Sequence, residues 1–150
     1  MSTTFFNNYL HIIFSTKNRK DYLKGDIEVK TYRYIAKLCH DLESPPIIVG
    51  GYVDHVHILC LISKNIKPTE FISKIKSNSS RWIKKEGSNL TEFSWQRGYG
   101  AFSVSPDNVE NVKSYIANQR EHHKKRSFKE EFRAILEKYN IEYNDRYIWD

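Results

Sequence analysis

Cysteine is scarce: Cys39 and Cys60 are the only two in 150 residues, and no CxxC pair occurs. That excludes a zinc knuckle and a disulfide scaffold, points to a reducing compartment, and leaves both residues as small core side chains. Glycine and proline are sparse as well, six and four. No linker rich in them, no repeat and no low-complexity tract divides the chain, so residues 1–150 are expected to form one domain large enough to bury a core. No apolar run nears about 18 residues, which excludes a membrane-spanning helix, and the N-terminus lacks a signal-peptide pattern. A cytoplasmic location without membrane partners is expected.

What the chain has is positive charge and aromatic surface. Lys and Arg number 24 against 18 Asp and Glu, a net +6. A polyanion is therefore a reasonable partner, and aromatics at 14%, ten of them tyrosine, suit base stacking as well as packing.

The hydrophobic pattern predicts strands over Tyr9–Ser15, Pro46–Tyr52 and His55–Ser63, the last two forming a hairpin, with Gly50-Gly51 loosening the end of the second strand. Phe93–Val104 is strand-like again, with interruptions at Gly98 and Gly100. Helical periods cover Asp26–His40 and Pro68–Lys85, the second turning Phe71, Ile72, Ile75, Trp82 and Ile83 inward. Ser105-Pro106 starts a helix expected to reach about Lys125. Ser127 through Glu130 is a capping box opening a last helix to about Tyr139, and the aromatic tail from Ile141 to Asp150 should dock. The order β-α-β-β-α-β plus two helices predicts an α+β, ferredoxin-like (split βαβ) antiparallel sheet with appended helices. Its first and third strands would be adjacent and central.

His55 and His57 stand at i and i+2 in a strand otherwise apolar. Alternation puts both rings on one face, roughly 6–7 Å apart along it, a spacing one metal ion can share. On pattern alone the pair reads more readily as satisfied core or edge histidines than as a metal site. Tyr115 and Gln119 are four apart on one helix face, and His122 continues that stripe. By period alone this stripe is an ordinary mixed face with a half-buried tyrosine.

Together these segments resemble the single-tyrosine HUH transposases of the insertion-sequence 200/605 type, which include REP-associated relatives. His55-Val56-His57 fits histidine–hydrophobic–histidine, and Tyr115 through Gln119 resembles the nucleophile helix. Phe14 to Lys20, Ser79 to Ile83, Trp95 to Ser105 and Gln119 to His123 extend the likeness, which runs from about Tyr9 to Trp149. The resemblance implies that His55, His57 and Gln119 hold one divalent cation, magnesium or manganese. Because that set carries no negative charge, weak metal binding without DNA is expected, with manganese at least as effective as magnesium. It implies Tyr115 as nucleophile, nicking single-stranded DNA to leave a 5′-phosphotyrosyl link and a free 3′-OH that permits rejoining. Hairpins at element ends, a homodimer with composite active sites, and association with the nucleoid when bound to DNA are implied too. The segment Ser103–Asn108 lacks the glycine expected of a hinge before the nucleophile helix, which argues against a large swing.

Basic clusters supply candidate DNA contacts: Lys17, Arg19 and Lys20; Lys74, Lys76, Arg81, Lys84 and Lys85; Arg120, His122, Lys124, Lys125 and Arg126. Each cluster is otherwise a solvated face. Trp82 and Trp95 read as core. The rival functions are a host-domesticated relative acting on repeated genomic hairpins, a catalytically silent nucleic-acid-binding module, and a metal phosphodiesterase with water as nucleophile.

Overall fold

A computed structural model describes residues 2–150. Four strands form one antiparallel sheet: β1 (Tyr9–Ser15), β2 (Pro46–Tyr52), β3 (His55–Leu61) and β4 (Gly100–Val104), in the order β2-β3-β1-β4. This is the split βαβ arrangement, with β1 and β3 central and paired from Tyr9 opposite Leu61 to Ser15 opposite His55. The punctuation of the sequence explains the boundaries. Pro45-Pro46 ends α1 (Asp26–Asp41) and starts β2, and Pro68 opens α2 (Pro68–Lys84) at its first turn, where a missing N–H costs nothing.

Strand alternation divides the core in two. Leu10, Ile12 and Phe14 of β1 and Val56, Ile58 and Cys60 of β3 face α1 and α2, meeting Ile35, Leu38, Phe71, Ile72, Ile75 and Ile83. Each such side chain, fully buried, contributes roughly 1.5–3 kcal/mol. Cys39 and Cys60 are buried and free there. Trp95 is buried among these residues, and Trp82 packs edge-on against Tyr34. The opposite face carries His11, Ile13, His55, His57 and Leu59, and is covered by the later helices.

Three expectations need correcting. The strand foreseen over Phe93–Val104 survives only as Gly100–Val104. Upstream of the glycines the chain instead crosses the end of β1, with a bridge between Thr16 and Trp95 and the Gln96 side-chain oxygen accepting from the Ser15 N–H at 2.8 Å. The helix foreseen from Ser105 to Lys125 is two: α3 (Val109–Ala117) and α4 (Gln119–His122), interrupted at Asn118, whose N–H reaches back to Ser114 and Tyr115. Gly50 and Gly51 do not loosen β2 but let neighbours in. A Cβ on Gly50 would lie 3.0 Å from Ile116 Cγ2, and one on Gly51 only 2.2 Å from the His55 carbonyl oxygen.

The last helix, α5 (Phe128–Lys138), is capped as foreseen: the Ser127 hydroxyl accepts from the Glu130 N–H at 3.2 Å. The tail docks too. Tyr143, Ile148 and Trp149 pack with Ile13, Phe102, Phe132 and Leu136, and the Asp150 carbonyl accepts from the Gly98 N–H at 2.7 Å. Among the described residues no helix is long and apolar enough to cross a membrane.

Candidate active site

The central position of β3 takes both histidine rings out of solvent entirely, with centroids 5.1 Å apart. Each ring is oriented through its far nitrogen. His55 Nδ1 lies 2.7 Å from Asp54 Oδ1, and His57 Nδ1 lies 2.8 Å from His11 Nε2 on the adjacent strand. Such outer partners fix ring orientation and leave Nε2 free for a ligand. Burial pushes the His57 imidazole below the usual histidine range. Burial, joined by the nearby His57, takes His11 down to about 3. Both are neutral at physiological pH, the form in which imidazole ligates metals.

The group at the centre of this pocket comes from α5. Glu131, wholly buried, points one carboxylate oxygen, Oε1, at three ring nitrogens: His57 Nε2 and His123 Nε2 at 3.3 Å and His55 Nε2 at 3.5 Å. Burial opposes its charge, but the His123 and His57 imidazoles favour it more, and the carboxyl sits well below the usual carboxylate range. Its second oxygen, Oε2, accepts from the Tyr115 hydroxyl and from Gln119 Nε2, the latter at 2.9 Å. Gln119 Oε1 in turn faces His55 Nε2 at 2.9 Å and His123 Nε2 at 3.0 Å. The break at Asn118 therefore does not separate Tyr115 from Gln119; both reach the same carboxylate. Burial, then the charge on Glu131, pushes the half-buried Tyr115 phenol above the usual tyrosine range, so it is protonated at rest. Among the described residues His57 Nε2 and Glu131 Oε1 have no hydrogen-bond partner. Orphaned buried atoms of this kind, in a set of nitrogen and oxygen donors, fit a divalent cation. His55, His57 and Glu131 alone offer three ligand atoms within 4.8 Å of one another.

The uncharged pocket expected from the sequence is thus corrected: a carboxylate stands in it. Glu131, His11, His123 and Asp54 were all missed. Glu131 had left a trace, an acid inside the apolar stripe Phe128, Phe132, Leu136 of α5. The basic candidates scatter. Arg120 pairs with the buried Glu28, and Lys74 pairs with Glu70 at 3.2 Å. Lys76 donates to the carbonyls of Arg97 and Gly98 at 2.9 Å each, and burial lowers its pKa to about 8. Arg19 donates to the Trp149 carbonyl at 2.9 Å, and Arg81 to Asn78 at 2.6 Å. Lys17 and Lys84 line a shared cleft with Lys20, while Lys85 stands exposed at the end of α2. His122 stacks on Tyr115 with centroids 4.7 Å apart. Beside the pocket, between α3 and α5, a cavity of about 240 Å³ is bordered by His11, Asn111, Tyr115, Arg126 and Lys138.

A family model described as "Transposase IS200 like" matches residues 4–119, most of the chain. The chain belongs to the IS200-like transposase family. Transposases for insertion sequence element IS200 from Salmonella typhimurium and Salmonella typhi are each 26% identical over 130 residues, covering 83% of this chain and 84% of theirs. Two solved structures share the fold. A Deinococcus radiodurans R1 protein assigned as a transposase superposes with a TM-score of 0.63 at 18% identity, covering 79% of this chain and 95% of that one. A REP-associated tyrosine transposase bound to a REP hairpin gives 0.60 at 12% identity, covering 82% of this chain and 74% of that one. The IS200-like match ends at residue 119, so Tyr115 and Gln119 lie inside it and Glu131 beyond it.

Proposed function

We propose that this IS200-like transposase nicks and rejoins single-stranded DNA with Tyr115 as nucleophile. The observation that carries the reading is the convergence of Tyr115 and Gln119 from one stretch of chain, and His55 and His57 from another, on one buried carboxylate from a third. His55, His57 and Gln119 would hold one divalent cation, manganese or magnesium, which when bound polarises a phosphoryl oxygen and offsets developing negative charge. The chain's own groups do the rest. The half-buried Tyr115 ring, held edge-on to His57 and stacked by His122, presents its oxygen beside the α3–α5 cavity. Arg126 and Lys138 make that cavity attractive to a phosphate. In the attack the phenol oxygen bonds to phosphorus as the bond from phosphorus to the 3′-oxygen breaks, and the proton lost by the phenol balances the one taken up by the departing 3′-OH. The 5′-phosphotyrosyl link keeps the energy of the phosphodiester, so another 3′-OH can reverse the step without ATP.

The DNA is proposed to be a hairpin at the element ends, as a REP hairpin is in the related structure. Two copies are proposed to share composite sites in the cytoplasm, at the nucleoid when DNA is bound. The test is incubation of labelled hairpin DNA with the protein and manganese. A covalent protein–DNA adduct, lost in Tyr115→Phe while DNA binding persists, is the expected result. Nicked product without adduct would replace this reading with hydrolysis by water, and retention without cutting would make the protein a silent binding module.

A further inference from the structure

Glu131 is the one carboxylate at the centre of the pocket, and it lies beyond the segment shared with IS200-like transposases, as His123 does. Its surroundings are hard to explain as simple packing. Asp54, a carboxylate that only accepts, faces His55 Nδ1, which assigns the ring proton to that nitrogen and leaves a lone pair on Nε2. That lone pair looks at Gln119 Oε1, 2.9 Å away, and at Glu131 Oε1, 3.5 Å away. Gln119 cannot turn its amide round to relieve this without withdrawing the N–H that it gives to Glu131 Oε2. His57 is likewise held through Nδ1 by His11, and its Nε2 stands without a partner, 3.3 Å from the same Oε1. Two imidazole Nε2 atoms, an amide oxygen and a carboxylate oxygen therefore converge in a space closed to solvent. Among them Glu131 Oε1 is wholly buried and, among the described residues, without a hydrogen bond. A buried carboxylate oxygen in that condition needs positive charge.

We infer that Glu131 is the anionic ligand of the cation site, so that this chain takes up its metal before DNA arrives. The inference rests on the proposed His55–His57–Gln119 site and adds to it a ligand from α5. It reverses what a neutral ligand set would do: with no acid present, the cation would await a DNA phosphate for its negative partner. It also gives the two carboxylate oxygens different tasks. Oε1 faces the cation, and Oε2 keeps the Tyr115 hydroxyl and the Gln119 amide in place.

The test is calorimetric titration of manganese chloride into the full-length protein without DNA, repeated with Glu131→Gln, Glu131→Asp and His57→Ala. Circular dichroism beforehand shows which variants are folded. The expected result is saturable binding of one manganese per chain, weakened at least about tenfold in Glu131→Gln. Glu131→Asp, which keeps the charge, is expected to fall between the two and covers the case in which the amide does not fold. His57→Ala is expected to lose binding altogether. Equal or tighter manganese binding in Glu131→Gln, with His57→Ala still defective, would overturn the role of Glu131 and leave the histidine site standing. Unchanged binding in His57→Ala would overturn the histidine site itself, and with it this inference.

Discussion

The His11–His57 pair makes stability depend on acid in a way that can be worked out in advance. His11 is buried in the folded chain with its pKa taken down to about 3, against an ordinary value of 6.5. The unfolded chain therefore binds a proton at a pH where the folded chain does not. The stabilisation is complete above about pH 6.5 and is lost as pH falls towards 3. Linkage with these two values gives a loss from His11 of about 2 kcal/mol at pH 5 and about 3 kcal/mol at pH 4. His57 is shifted in the same direction and adds to the slope. In a chain of this length 2 kcal/mol corresponds to roughly 4–8 °C in Tm. His11→Gln replaces the ring with a group that hydrogen-bonds but does not titrate. Its Tm at pH 7.5 is expected to be lower than that of the parent, while its further drop on going to pH 5 is smaller by that same roughly 4–8 °C. Thermal unfolding of both proteins at the two pH values decides the matter. An identical drop in both, or greater stability at pH 5, would refute the assignment of His11 as a buried neutral histidine.

Two further predictions concern how the site is held. Arg120→Ala leaves the buried Glu28 carboxylate without its partner; because the arginine side chain is 66% exposed the loss is discounted to about 1–3 kcal/mol. Urea unfolding should show that loss, and Glu28→Gln should cost less than Arg120→Ala because no charge is then stranded. Gly51→Ala would drive a Cβ to 2.2 Å from the His55 carbonyl oxygen. The β2–β3 hairpin must then shift, and both Tm and manganese uptake are expected to fall; an unchanged titration would show that hairpin register does not position His55.

How far all this was legible in the sequence follows from the range of the interactions. Tyr9–Ser15 and Pro46–Tyr52 emerge with the bounds expected of them, because prolines and the β-branched run act locally. Pairing of β1 with β3 follows from the element order, and so His55 and His57 could be placed on a central strand. The break at Asn118 carries no local signal: no glycine or proline marks it, and Gln119 is held by His55 and Glu131 from 64 and 12 residues away. His11 was readable in principle, since it lies on β1 two residues before Ile13, which pairs with His57. Its hydrogen bond to His57 depends on a register that periodicity alone does not set. Glu131 required knowing that α5 folds back over the histidine face. The basic residues were the least legible, because charge shows where a cation is possible but not whether a neighbour already holds it, as Glu28 holds Arg120.

The closed pocket bears on which chemistry the site is built for. Hydrolysis would need a water molecule beside the cation, aligned on phosphorus and open to bulk exchange. Here His55, His57 and Glu131 are all wholly buried, with Phe128 of α5 packed on the His55 ring. Of the groups around Glu131 only Tyr115 is both nucleophilic and half-exposed, with its ring at the edge of the α3–α5 cavity. In the proposed strand transfer, shielding from water would serve the second half as well, because a phosphotyrosyl link would survive to be attacked by a 3′-OH only while water is kept off it. Burial of the histidines and half-exposure of the tyrosine thus favour transfer over hydrolysis on physical grounds independent of the family's pattern.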